Sequence, residues 1–183
     1  MRISIVILFF LFDVISFAFA QFEGDTVKYK DFYELMQIPD NICKNKKIVK
    51  QRGEMRRTLI SKEIGLQIML SDTIHVIYNP SWIDFVIGSF QEYVLTDSVS
   101  YELHVPGELT INAKDSEFSE MICKIRNHQY RAGETSFPEV FGGSEIFYYY
   151  KFVRQHGNHF DCYRETYFRY PLTHVLSKIT EAE

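Results

Sequence analysis

The strongest hydrophobic pattern of the chain lies between Glu145 and Tyr170. Two runs rich in Phe, Tyr, Val and Ile, which favour pleated strands, flank the dipeptide Gly157-Asn158. Such a dipeptide suits a two-residue turn because Gly and Asn tolerate a positive φ. The pattern predicts a long antiparallel hairpin. Aromatic residues at both odd and even positions of its first arm favour a strand that is covered on both faces, and the alternative is a strand that exposes tyrosines for binding.

Two registers are open for this hairpin. A two-residue turn places Arg154 opposite Asp161, which is a stabilising pair. It also places Lys151 opposite Arg164, a like-charge pair that costs stability. A register shifted by one residue therefore stays open, and it would exchange the two faces of one strand.

The rest of the chain carries shorter patterns of both periods. Apolar residues three and four positions apart predict helices, and alternating ones predict strands. The predicted helices cover residues 29–38, ended by Pro39, then 44–57 and 82–94. The predicted strands cover 64–70 and 74–78, read as a second hairpin, and then 99–105, 109–113 and 121–125.

This order of elements predicts an α+β fold, with N-terminal and central helices packed on one face of a twisted antiparallel sheet that ends in the long aromatic hairpin. The order resembles the cone-like folds of the nuclear-transport-factor and ketosteroid-isomerase group, and resembles the cystatins less. The glutamine-x-valine-x-glycine loop of cystatins is missing, and no aspartate has the context of an isomerase base. The resemblance implies a cone-like fold and assigns no function.

The first twenty residues have the three parts of a secretory signal peptide. Met1-Arg2 is positive, residues 3–12 are apolar apart from one serine, and Ala18-Phe19-Ala20 has the small-x-small form of a cleavage site. Asp13 is unusual there, and the alternative is an uncleaved anchor. Because the apolar run is shorter than the ~20 residues of a spanning helix, we expect cleavage after Ala20.

Residues 21–183 are then expected to form one secreted, extracellular domain with no transmembrane segment. The net charge of the chain is −4, which argues against nucleic acid as a partner. Within it, residues 44–57 hold seven basic residues and one acidic residue. Such a helix can bind an acidic partner or an anionic surface, although it is more often only a solvated face. Arg56-Arg57 could also be a dibasic processing site.

Three cysteines, Cys43, Cys123 and Cys162, leave three pairings open. An oxidising compartment favours one disulfide and one remaining thiol. Because Cys123 and Cys162 both lie in predicted strands, they are the first candidates for the bridge. Cys43 would then be a buried thiol or an intermolecular link.

The tip of the hairpin offers the best candidate metal ligands, His156, His159 and Asp161. Residues facing each other beside a tight turn have Cβ atoms about 5 Å apart, which lets two imidazoles share a cation. Polar residues also gather at hairpin tips because tips are solvated. With two histidines and no third firm ligand, the metal assignment stays open.

Motifs of catalysis are missing from the sequence. It has no glycine-x-serine-x-glycine elbow and no glycine-rich phosphate loop, and no carboxylate pair stands out. Cys162 and His159 lie three positions apart, so on a strand they point to opposite faces. We therefore name no catalytic residue and expect no cofactor.

The leading hypothesis is a secreted, non-enzymatic domain that binds a protein or surface partner. Tyr163 and Tyr167 are the candidate contact residues, because Tyr supplies a large contact area at low entropic cost. The alternative is a pocket protein or enzyme of the cone-like type that holds a small apolar ligand between the sheet and the predicted Trp82 helix.

Overall fold

The computed structural model describes residues 26–43, 46–78, 91–104, 108–127, 146–168 and 174–179. The helices of these ranges are α1 (Phe32–Leu35), α2 (Gln37–Asp40), α3 (Lys46–Leu59), α4 (Lys62–Met69) and α5 (Glu117–Arg126). Their strands are β1 (Val27–Lys28), β2 (Thr73–Tyr78), β3 (Gln91–Leu95), β4 (Ser100–His104), β5 (Glu108–Ile111), β6 (Ile146–His156), β7 (His159–Phe168) and β8 (His174–Ile179). The predicted signal peptide and Trp82 lie outside the described residues.

All described strands join one antiparallel sheet in the order β1-β7-β6-β2-β3-β4-β5, and β8 also pairs with β7. The α+β class is therefore confirmed. The long hairpin β6-β7 lies inside this sheet, because β2 pairs with β6 while β1 and β8 pair with β7.

The middle strands β2, β3 and β6 are largely buried on both faces of the sheet. Helices α1 to α4 cover one face, where they pack on side chains of the middle strands such as Val76, Tyr150, Phe152 and Phe160. Helix α5 belongs to the second apolar cluster, with the oppositely directed Ile77, Tyr93, Phe147 and Tyr149. The aromatic first arm of the hairpin is thus covered on both faces, as its pattern predicts. The expectation of helices on a single face is wrong.

Helix α5 replaces the strand predicted over residues 121–125. Ser116 caps it, since its Oγ accepts a hydrogen bond from the amide of Ser119 at 3.2 Å. The buried side chains of α5 lie three and four positions apart and so share one face: Phe118, Met121, Ile122 and Ile125. The alternation of Met121, Cys123 and Ile125 was the weaker signal.

Helix α4 likewise replaces the strand predicted over residues 64–70. Ser61 caps it by accepting from the amide of Ile64 at 3.2 Å. A Cβ on Gly65 would lie 3.4 Å from the Cβ of Phe32, so the glycine lets α4 pack closely against α1. Two of the alternating apolar residues in this segment, Leu66 and Leu70, lie in solvent rather than in the core.

The helix predicted over residues 82–94 is wrong where the structure describes it, because residues 91–95 form strand β3. Glu92 and Val94 face α1 to α4, whereas Tyr93 faces α5. A strand buried on both faces does not alternate apolar and polar residues, so its pattern imitates a helix. Residues 82–90 lie outside the described residues.

The hairpin register contains a bulge between Arg154 and His156. His156 faces His159 as predicted, but beyond the bulge every pair is shifted by one residue. Lys151 therefore faces Tyr163, and the predicted contact with Arg164 does not form. The shift also places Cys162 opposite Phe152, so both side chains enter the same core.

Candidate functional site

A buried cluster of charged side chains connects helix α3 to the sheet, with Arg56 at its centre. Arg56 donates from Nε and Nη2 to Oε2 of Glu92 at 2.9 and 2.5 Å. It also donates from Nη1 and Nη2 to the two carboxylate oxygens of Asp40 at 2.5 and 2.9 Å. One guanidinium thus ties α3 to α2 and to β3 through bidentate contacts, the strongest form of ion-pair hydrogen bonding.

Tyrosine hydroxyls hold the two carboxylates from the other side. Tyr101 donates to Oε1 of Glu92, and Tyr78 donates to Oδ1 of Asp40 at 3.0 Å. Arg52, one helical turn before Arg56, donates to the Tyr78 hydroxyl, and its guanidinium carbon lies 4.9 Å above the Tyr78 ring. Two arginines and two carboxylates meet here, so their formal charges cancel.

The electrostatics of the cluster follow from burial and from these pairs. Burial alone would lower the pKa of Arg56, but Glu92 and Asp40 raise it well above its ordinary value. Burial raises the pKa of Tyr101, and the Glu92 carboxylate raises it further. Arg56 therefore stays charged and the Tyr101 hydroxyl stays protonated, which makes the cluster a fixed set of dipoles rather than an acid–base pair.

A cavity of about 320 Å³ opens beside this cluster, between α2 and α3. We call it the α2–α3 cavity. The Asp40–Arg56 pair lines it, together with side chains from α1 and from the exposed side of α3. Its lining also includes Tyr33, Val49, Lys50, Gly53, Glu54 and Arg57.

A second depression of about 400 Å³ lies between α1 and α4, and we call it the α1–α4 groove. Phe32, Met69 and Leu66 supply its apolar lining, and Lys30 and Lys62 supply ammonium groups. Leu66 is 61% exposed, and Leu70 one turn later is 68% exposed. Residues four apart on a helix are neighbours, so the two leucines form an apolar ridge beside the groove.

The candidate metal ligands come together only in part. The rings of His156 and His159 stack with centroids 4.2 Å apart, while Asp161 accepts from the side-chain amide of Gln155 at 2.9 Å. Within the described ranges, no group of three or more His, Cys, Asp or Glu side chains is placed to hold a metal ion. The pair supplies two imidazoles without a third ligand, and the metal site stays a prediction.

The candidate contact tyrosines lie on β7. Tyr163 is half-buried and sits between Lys151 of β6 and Lys178 of β8. Tyr167 pairs with Phe147, and its side chain lies outside the described residues. Their role in binding stays a prediction.

The cysteines carry free thiols in the structure, and the expected Cys123–Cys162 bridge is not formed. Cys123 is exposed on α5, on one side of the sheet. Cys162 is buried on the other side, in the apolar core under α1 to α4. Pairing them rested on the strand wrongly predicted for Cys123. Burial raises the pKa of the Cys162 thiol, which keeps it protonated and unreactive.

The basic helix proves to have two different sides. Arg52 and Arg56 are buried, whereas Lys46, Lys50 and Arg57 are exposed. Only part of the positive charge read from the sequence therefore reaches solvent. A protease acting after Arg56-Arg57 would first have to unwind α3, because Arg56 is held by both carboxylates.

Sequence reasoning missed the buried cluster. One signal was present: the face of α3 that carries Ile48, Met55 and Leu59 also carries Arg52. An arginine at an apolar position of an amphipathic helix implies an acidic partner in the core.

A second buried polar pair lies on the other face of the sheet. Nδ1 of His75 lies 2.7 Å from the hydroxyl of Tyr149, and the rings stack at 6.0 Å. Burial lowers the pKa of His75 to about 4, and Arg126 and Lys151 lower it in the same direction. His75 is therefore neutral at pH 7, which lets Nδ1 accept a hydrogen bond from the Tyr149 hydroxyl.

Comparison of the chain with protein-family models, curated proteins and solved structures gives no significant match. None of the helices in the described ranges combines the length and apolarity needed to cross a membrane.

Proposed function

We propose that this protein is a secreted, non-enzymatic binding domain that takes up an apolar, acidic segment of a partner protein in the α1–α4 groove. The observation that carries the proposal is the ridge formed by Leu66 and Leu70, the two most exposed large apolar side chains among the described residues. Leaving two leucines side by side in water gives up hydrophobic stabilisation that a partner would restore.

The chemistry of the groove indicates the kind of segment. Phe32 and Met69 form the apolar floor of the groove, and one side chain of the partner would insert into the groove and pack against them. Lys30 and Lys62 line the groove, and neither forms a salt bridge within the described part of the chain. Carboxylates that flank the inserted side chain would pair with these ammonium groups.

The rigid neighbourhood of the groove supports a preformed site. Asp31 caps α1 by accepting from the amide of Glu34 at 2.9 Å, and Gly65 keeps α4 close against Phe32. At the far end, the amide of Tyr29 donates to the carbonyl of Asn158 at 3.0 Å, which ties the hairpin turn to the groove. A groove that is already formed loses little entropy on binding.

Selection of a random peptide library on the secreted chain tests the proposal. We expect the enriched peptides to combine a large apolar residue with Asp or Glu. Leu66→Lys and Lys62→Glu should each raise the Kd of these peptides about tenfold or more. Ile111→Lys replaces another exposed apolar residue, on β5, and should leave the Kd unchanged.

Two outcomes would contradict the groove as the binding site. One is that the groove variants leave peptide affinity unchanged. The other is that Tyr163→Ser and Tyr167→Ser abolish binding while Leu66→Lys does not, which would assign the contact to the hairpin.

Secretion is tested on its own by the intact mass of the protein from a eukaryotic host. A chain beginning at Gln21 is expected if signal peptidase cleaves after Ala20. A retained N-terminus would instead indicate an anchored protein.

A further inference from the structure

Gly53 stands in the middle of the fourteen-residue helix α3, where glycine is unfavourable. Among the described residues, a Cβ at this position would meet only Nη1 of Arg57, at an ordinary 3.7 Å. Packing among the described residues therefore does not require a glycine here. What the missing side chain does provide is open space, because Gly53 lines the α2–α3 cavity.

The walls around Gly53 are held in place. The hydroxyl of Tyr33 donates to the carbonyl of Ile60 at 2.8 Å, which orients its ring at the cavity wall. The floor is the Asp40–Arg56 pair, whose side chains are 5% and 2% exposed. Since these groups are already bonded, the cavity keeps its shape when empty. Its volume of about 320 Å³ is at the small end of the range for ligand sites, about 300–1,000 Å³.

The charge at the cavity mouth is positive. The floor contributes no net charge, because Arg52 and Arg56 are balanced by Asp40 and Glu92. At the mouth, Lys50 and Arg57 oppose the single carboxylate of Glu54. The Lys50–Glu54 contact is 3.9 Å long between highly exposed side chains, so it holds neither group firmly. An acid group entering the cavity would meet two cations.

We propose that the α2–α3 cavity binds a small organic anion. The apolar body of this anion lies against Gly53, Val49 and the ring of Tyr33. The acid group of the anion faces Arg57 and Lys50. This site is distinct from the α1–α4 groove, because the two depressions share only Tyr33 among their lining residues. It does not depend on the proposed binding of a protein partner.

A pair of fluorescent probes tests both parts of this proposal on the secreted chain. The probes are 1-anilinonaphthalene-8-sulfonate, an aromatic anion, and N-phenyl-1-naphthylamine, which has the same aromatic body without the acid group. We expect the anion to bind with enhanced fluorescence and the neutral probe to bind about tenfold more weakly. Gly53→Leu fills the cavity and should weaken the anion about tenfold or more.

Further variants separate this site from other surfaces. Arg57→Glu changes only an exposed residue, so folding is preserved, and it should weaken the anion several-fold while sparing the neutral probe. Leu66→Lys should leave binding of both probes unchanged. The proposal is overturned if Gly53→Leu and Arg57→Glu both bind the anion as the unmodified chain does. It is equally overturned if Leu66→Lys removes the signal, since the probe would then occupy the α1–α4 groove.

Discussion

Arg56 and Glu92 form a contact through two guanidinium nitrogens, with Nε and Nη2 at 2.9 and 2.5 Å from Oε2 of the carboxylate. Their side chains are 2% and 0% exposed. The contact therefore lies in the buried layer between α3 and the sheet. A charge pair in such a layer fixes how the two elements meet, because any other arrangement would leave a buried charge unpaired.

Replacing Arg56 should be far more damaging than replacing its neighbour. Arg56→Met leaves the carboxylates of Asp40 and Glu92 buried without their cation, and we expect the free energy of unfolding to fall by about 3–5 kcal/mol. Arg57→Met, at the next position but exposed, should change it by less than about 0.5 kcal/mol. Urea denaturation at pH 7 measures both. Similar losses in the two variants would show that the cluster does not stabilise the fold.

Two glycine-to-alanine changes should have opposite signs. Gly53 has room for a Cβ and lies in a helix, so Gly53→Ala should stabilise the chain by about 0.5–1 kcal/mol. Gly157 in the hairpin turn has φ +52°, where an L side chain is strained, so Gly157→Ala should destabilise it by about 1–2 kcal/mol. Thermal denaturation of both variants provides the comparison. A gain at Gly157 would show that the turn adopts another conformation.

Stability should fall in mild acid because of His75. Its folded pKa of about 4 lies below the ordinary 6.5, so between these values the unfolded chain binds a proton that the folded chain does not. The contribution is fully present above pH 6.5 and is lost progressively as the pH falls to 4, by about 3 kcal/mol at most.

The measurement is the free energy of unfolding across this range. His75→Gln should flatten the pH dependence, whereas His159→Gln, at a partly exposed position in the hairpin turn region, should retain it. An unchanged slope in His75→Gln would contradict a buried neutral imidazole.

The cysteines should differ in reactivity towards iodoacetamide. Cys123 is exposed and should be alkylated in the native protein, whereas Cys162 is fully buried and should react only in denaturant. Peptide mapping after timed alkylation gives the order. Rapid native labelling of Cys162, or a Cys123–Cys162 disulfide in the secreted protein, would contradict the packing of β7 against helices α1 to α4.

Local patterns predicted those elements in which residue propensities, hydrophobic period and turn residues all favour the same structure. The hairpin was recognised because both arms favour strands and Gly157 favours the turn. Its register was not, since nothing in the sequence marks Gln155 as the extra residue of a bulge. Segments with two competing periods, such as Ile64 to Leu70, were resolved by capping at Ser61 and by packing against Phe32.

The buried cluster lay beyond local patterns for a different reason. The partners of Arg56 are 16 and 36 positions away, on α2 and on a strand that was predicted as helix. Charge counting treated residues 44–57 as a solvated stripe, although the helix buries two of its arginines. Cavities between helices depend on such long-range contacts, so neither depression could be derived from the chain order.

Strands β8 and β1 run one after the other along the same side of β7. Ile179 pairs with Cys162 and Val27 pairs with Phe160, so the end of β8 and the start of β1 face positions only two residues apart. In strand geometry this separation is about 7 Å. The two strands are halves of one interrupted strand, and a short linker from residue 179 to residue 27 would make it continuous. Residues 179 and 27 are thus a suitable junction for a circular permutation, in which the chain is joined here and new termini are placed in a loop elsewhere.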